Sequence, residues 1–191
     1  MANGFGRGEP ERGRKSMGID VKVIVMFAVL GFATILQLAA LISDSWVRTA
    51  TDADGTVGSS GLWRICPDYA GIDSCRAFVW TDNQVSHWFR TVQTFEVVGF
   101  LFGCSALFMM ALYHLVETCM ENTRLKMCSM ALLVVAFMLV FSGAVVVASL
   151  KDAQKAIYLP DTYVMPSWGF AFAIVASIVY LVGCVTIVIS N

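Results

Sequence analysis

Six cysteines and two histidines are the residues of this chain whose chemistry depends most on spacing. Cys66 and Cys75 are separated by eight residues, Cys119 and Cys128 bracket a short polar segment, and Cys104 and Cys184 lie inside apolar runs. A Cys66–Cys75 bridge closes a small ring, whereas a zinc site needs further Cys or His in register, and only His87 lies in the same stretch. A bridge also needs an oxidising compartment, so it matters which solvent each segment meets. His87 and His114 fall in different segments, no Ser is paired with a base, and the acids are scattered, so no catalytic constellation forms. Gly4-Phe5-Gly6-Arg7-Gly8 has no strand before it and lacks the second half of a phosphate-loop fingerprint. An enzyme is not expected, nor a metal or cofactor.

The elements that carry these residues follow from where the charges are. The chain is 58% hydrophobic and 14% charged, against roughly 25% charged in a soluble domain, which argues against a purely soluble globule. Residues 23–42, 97–115, 127–150 and 168–189 contain no Asp, Glu, Lys or Arg, so all 13 bases and 14 acids lie between and before them. Each run reaches the ~20 residues that cross a hydrocarbon core as helix. Continuous apolar runs lack the alternation of a barrel strand, so the fold class is an all-α membrane four-helix bundle. The net charge of -1 gives no reason to expect nucleic acid as a partner; membrane lipids are the expected surroundings.

Lys and Arg placement orients the spans. The tail 1–22 holds Arg7, Arg12, Arg14, Lys15 and Lys22, and the loop 116–126 holds Arg124 and Lys126. The longer segments 43–96 and 151–167 hold Arg48, Arg64, Arg76, Arg90, Lys151 and Lys155 at much lower density. The positive-inside rule therefore places both termini, including the end 190–191, in the cytoplasm, with two extracellular loops. The first run is too long for a signal h-region and reads as a retained anchor; the Gly-rich tail is expected to be flexible. Almost nothing follows the fourth span, so no scaffold-docking tail is expected. Cys66 and Cys75 then fall on the oxidising side, where a disulfide would staple a loop with little core of its own. Cys104 and Cys184 read as small packing residues.

The large loop carries the most specific pattern. Trp46 stands just past the first span, followed by Gly61-Leu62-Trp63, Cys66, Cys75 and, before the second span, Arg90. This resembles the W…GLWxxC…C…R signature of the claudin superfamily, which includes the peripheral myelin and epithelial membrane proteins and the gamma-type auxiliary subunits of channels. The resemblance extends to span count and loop-size order. His87-Trp88-Phe89-Arg90-Thr91-Val92-Gln93 is similar to the claudin pattern through Arg90 and to the myelin and epithelial pattern through Trp88 and Val92-Gln93. There is no Asn-x-Ser/Thr sequon.

Independently of the resemblance, Leu62–Cys66 and Arg76–Trp80 have the look of short strands, with Gly55, Gly58 and Gly61 as breakers. A small extracellular antiparallel sheet from the first loop is expected. Trp46 and Trp63 have two readings, interfacial belt or wedges that fix the sheet's tilt, and the wedge is favoured for Trp63 because it belongs to the matched motif. Trp168 reads as belt. Glu96 reads equally as a solvated side chain or as one in contact with protein. Gly99-x-x-x-Gly103, and Gly169-x-x-x-Ala173 with Ser177, put small residues on one helix face, suited to packing within the bundle. The resemblance implies a plasma-membrane protein of cell junctions, acting in adhesion or a paracellular barrier with claudin-like partners in cis or trans. The other implied class is an auxiliary subunit of a channel or receptor.

Cys119 and Cys128 flank the cytoplasmic loop at the depth of the bilayer interface, the usual position for S-palmitoylation; buried thiols at helix ends are the equal alternative. Hydroxylamine-dependent acyl exchange is expected to label the parent protein and to be lost in the Cys119→Ser, Cys128→Ser double variant. No signal in the parent ends the idea.

Overall fold

A computed structural model describes residues 21–51, 55–67, 75–78, 87–116, 122–155 and 162–189. Four helices, α1 (Val21–Ile42), α2 (His87–Leu115), α3 (Thr123–Lys155) and α4 (Trp168–Ile189), are each long and apolar enough to cross a membrane. The charge-free runs mark the lipid-facing part and not the helix ends. α2 starts ten residues before residue 97, and α3 overruns 127–150 at both ends, because a helix can continue into water once its apolar stretch has crossed. Asn122 starts α3 by accepting the Arg124 amide on its side-chain oxygen at 3.1 Å, as an N-cap does.

α2 packs most extensively on α3, α1 on α4, and α3 on α4, with a smaller α1–α2 contact closing the ring. Two apolar clusters fill it. The deeper one contains Met26, Leu30, Leu133 and Tyr180; the upper one, beneath the sheet, contains Leu41, Trp46, Leu62, Val92 and Val147. Large apolar side chains such as Ile35, Leu101, Phe108 and Ile178 point outward, as lipid requires. Small hydroxyls inside the spans find backbone acceptors: Ser129 donates to the Ala106 carbonyl across the α2–α3 contact at 3.1 Å, and Thr34 to Leu30 at 2.9 Å, whereas the buried Tyr180 hydroxyl has no hydrogen-bond partner among the described residues.

Strands β1 (Val47–Thr51), β2 (Gly55–Ser60), β3 (Arg64–Pro67), β4 (Arg76–Ala77) and β5 (Thr162–Pro166) form one antiparallel sheet in the order β4-β3-β2-β1-β5. Three expectations are corrected. The sheet is not built from the first loop alone: β5, from the loop before α4, pairs with β1 along its whole length, Val47↔Pro166 through Thr51↔Thr162. β1 runs directly up from α1, and β5 gives its second edge a partner. The strand expected over Leu62–Cys66 starts at Arg64, because Leu62 and Trp63 are used in the turn onto the bundle; of Arg76–Trp80, residues 76–77 are strand and 79–80 lie outside the described residues. Gly55 and Gly58 are not breakers but lie inside β2, where the register shifts opposite Thr49/Ala50 in a bulge. The 1–20 part of the tail and Cys119 lie outside the described residues.

Gly61 does end its strand, for a steric reason. A Cβ there would lie 2.6 Å from Asp44 Cα and 2.9 Å from Asp44 C, backbone atoms that cannot rotate away. Gly31, in mid-α1, has nothing within 4 Å of its Cβ position. Gly61→Ala is therefore expected to destabilise by about 1–3 kcal/mol. Gly31→Ala should be neutral or gain up to ~1 kcal/mol from helix propensity. Thermal unfolding of the purified protein in detergent reads both, and equal effects would remove the steric argument.

Candidate functional site at the junction of sheet and bundle

The last carbonyls of a helix have no partner inside it. At the end of α1 they belong to residues whose surroundings are apolar, so they need donors from elsewhere. Trp46 Nε1 donates to the Ala40 carbonyl at 2.7 Å, and Trp63 Nε1 to the Leu41 carbonyl at 2.7 Å. One indole comes from the entrance to β1 and the other from the β2–β3 turn. Together they bind the sheet to the helix end while burying aromatic surface.

The two rings differ in exposure. Trp46 is 1% exposed and Trp63 37%. Trp46 is thus a core residue and not a belt residue; the edge of Trp63 borders an open groove with Val97 and Val98 of α2. Trp168 is exposed at the start of α4, the position a belt residue takes. Leu62, between the Gly and Trp of the motif, is fully buried, and its carbonyl accepts from Gln93 Nε2 of α2 at 2.5 Å. The segment Gly61-Leu62-Trp63 therefore bridges α1 and α2.

Backbone bonds complete the seat. Trp46 N donates to Ser60 O at 2.8 Å, Ser167 N to Trp46 O at 2.9 Å, and Gly169 N to Ser45 O at 2.9 Å, which fastens the start of α4 to the same turn. The Ser45 and Ser167 hydroxyls are 2.7 Å apart. Gly169 lies against Trp46, with a built Cβ 2.6 Å from Trp46 Cδ1, so the small-residue pattern in α4 serves contact within the molecule. Gly99 likewise meets Val140 of α3, and Gly103 meets Tyr180 of α4.

Cys66 and Cys75 are disulfide-bonded, joining β3 to the start of β4. Beyond β4, Phe78 stacks edge-on to Phe89 in the first turn of α2 at 5.3 Å, and Phe78 N donates to Trp63 O at 2.8 Å. Arg90 is half-buried in that turn, and its carbonyl accepts from Thr94. The outward face of the sheet carries Arg48 and Arg64; Arg76, paired with Ile65, is exposed on the opposite face at the sheet edge. Arg64 lies 3.7 Å from Asp44 with both side chains well exposed, a pair of small energetic weight. Arg48 and Met165 face each other across β1 and β5 and are both exposed.

The remaining candidates are dispersed. Cys128 is exposed near the start of α3; Cys104 and Cys184 are half-buried in the bundle. His87 and His114 sit at opposite ends of α2, about 40 Å apart at 1.5 Å rise per residue. Among the described residues there is no group of three His, Cys, Asp or Glu that could hold a metal ion. Glu96 is fully buried, and Gln37 Nε2 of α1 donates to its Oε2. Gln93 stood out in the sequence only as part of the His87–Gln93 pattern, and Gln37 not at all, although it is the one amide in the first charge-free run. No family model matches the chain, and no curated protein matches it.

The burial contrast between the two indoles gives a test. Trp46→Phe keeps an aromatic ring but removes the short indole bond to the buried Ala40 carbonyl, leaving it only the 3.3 Å bond from Ser43 N, with an expected loss of about 1–3 kcal/mol. Trp63→Phe opens the Leu41 carbonyl toward the groove, where water can replace the indole, and should cost about 1 kcal/mol or less. Denaturation of both variants in detergent makes the comparison. A larger loss for Trp63→Phe would show that capping is not what these rings contribute.

Proposed function

We propose that this chain is a claudin-like integral membrane protein of cell–cell contacts, non-catalytic, with both termini cytoplasmic and its sheet outside the plasma membrane. The observation that carries the reading is the use made of Trp46 and Gly61-Leu62-Trp63: they seat an external sheet rigidly on four spans. A sheet so held can present its outer face to another molecule without paying to order itself first. The partners that fit are other claudin-like chains, including further copies of this one, beside it or on the opposing cell, which makes adhesion or a paracellular barrier the function. The resemblance to the superfamily signature, through the same residues, supports this.

Arg48 and Met165 test it because both are exposed on the outward face, and the one contact Arg48 makes toward the seat is a long 3.4 Å bond from Nε to the Ser45 hydroxyl. Arg48→Glu combined with Met165→Glu should reach the cell surface at parental levels yet lose its enrichment, several-fold, where two expressing cells meet. Mixing expressing with non-expressing cells supplies the comparison. Enrichment that persists against non-expressing neighbours would overturn homotypic adhesion. Enrichment that instead follows a co-expressed channel would replace this reading by that of an auxiliary subunit.

A further inference from the structure

Glu96 is the one acidic residue within the four spans, and it is fully buried. It lies in the bundle interior, with Gln37 of α1 on one side. Gly143 of α3 also packs against the carboxyl, and its missing side chain leaves room for Glu96 Oε1, 2.9 Å from where a Cβ would stand. Its neighbour in the hydrogen bond is an uncharged amide, so nothing in that bond offsets a carboxylate's charge in a span, where an uncompensated charge is costly.

The donor count points the same way. Gln37 Nε2 serves Glu96 Oε2, and two buried acceptors remain, Glu96 Oε1 and Gln37 Oε1, neither with a hydrogen-bond partner among the described residues. Two adjoining groups thus offer acceptors with no donor between them. A buried acceptor left this way is disfavoured, and native structures rarely keep one.

We propose that Glu96 is a proton-binding site within the membrane, carried as the neutral carboxylic acid with its proton on Oε1 and donated to Gln37 Oε1. That one proton removes the charge and supplies the missing donor. It turns the observed single bond into a cyclic acid–amide pair that latches α1 to α2. The latch is independent of the proposed contact function, since it would serve any role of the bundle.

Infrared spectroscopy of the full chain in lipid nanodiscs at neutral pH tests this. The parent should show the C=O stretch of a protonated carboxyl, clear of the amide bands and shifted down in D2O. Glu96→Gln keeps an amide in place of the acid and should abolish the band. Gln37→Leu should retain the band but move it to higher frequency, because the carboxyl has lost its partner. Absence of the band in the parent overturns the proposal without recourse to any variant. A band that survives Glu96→Gln overturns it too, since the proton then belongs to another carboxyl. So does an unshifted band in Gln37→Leu, because the amide is then not its partner.

Discussion

The end of α1 is where the two solvents of this protein meet, and the last carbonyls there, those of Ala40 and Leu41, set the condition that the rest of the structure above the spans satisfies. In hydrocarbon a backbone acceptor must be paired from within the protein. A water-filled loop above the helix would meet that need without imposing any geometry. Instead, two indole N–H groups meet it, and each brings a different part of the sheet with it: Trp46 the beginning of β1, Trp63 the turn into β3. A requirement local to one helix end thereby fixes the position of five strands.

The seat is then triangulated. Gln37 and Ala40 lie one turn apart on the buried face of α1, and Gln93 and Glu96 one turn apart on that of α2. Gln37 binds Glu96, Trp46 binds Ala40, and Gln93 binds Leu62, so α1, α2 and the sheet are tied pairwise. α4 joins through Gly169, whose amide reaches Ser45 and whose bare Cα admits Trp46. Every one of these links is polar or steric, not merely apolar. In lipid this matters, because apolar surface gains nothing by leaving acyl chains for a neighbouring helix, and directional bonds and close approach must do the selecting.

This explains what could be read from the residues alone. Spans were legible because charge is excluded from lipid, an effect that needs no tertiary information. The Cys66–Cys75 bridge was legible because two thiols assigned to the same oxidising side had few other fates. β5 was not, because Thr162–Pro166 is five residues whose strand character depends on finding β1 across space. Thr162-Tyr163-Val164-Met165-Pro166 has no polar–apolar alternation to mark it, and only the pairing with β1 turns Val164 inward and Met165 outward. Glu96 was ambiguous for the same reason. A carboxyl near a span end is solvated or paired according to what the facing helix offers, and which residue of α1 faces it is a matter of packing.

The signature residues also account for why fold was more readable than function. Trp46 and Leu62 are enclosed, Gly61 is pressed against the backbone of Asp44, and Trp63 has its N–H committed to α1. Cys66 and Cys75 are committed to each other. Residues used in this way have little left to offer a partner, so a pattern made of them specifies how a sheet is mounted and not what the sheet touches. What it touches must be set by side chains the mounting leaves outward, such as Arg48, Arg64 and Met165. Two chains sharing this mounting can therefore differ in partner.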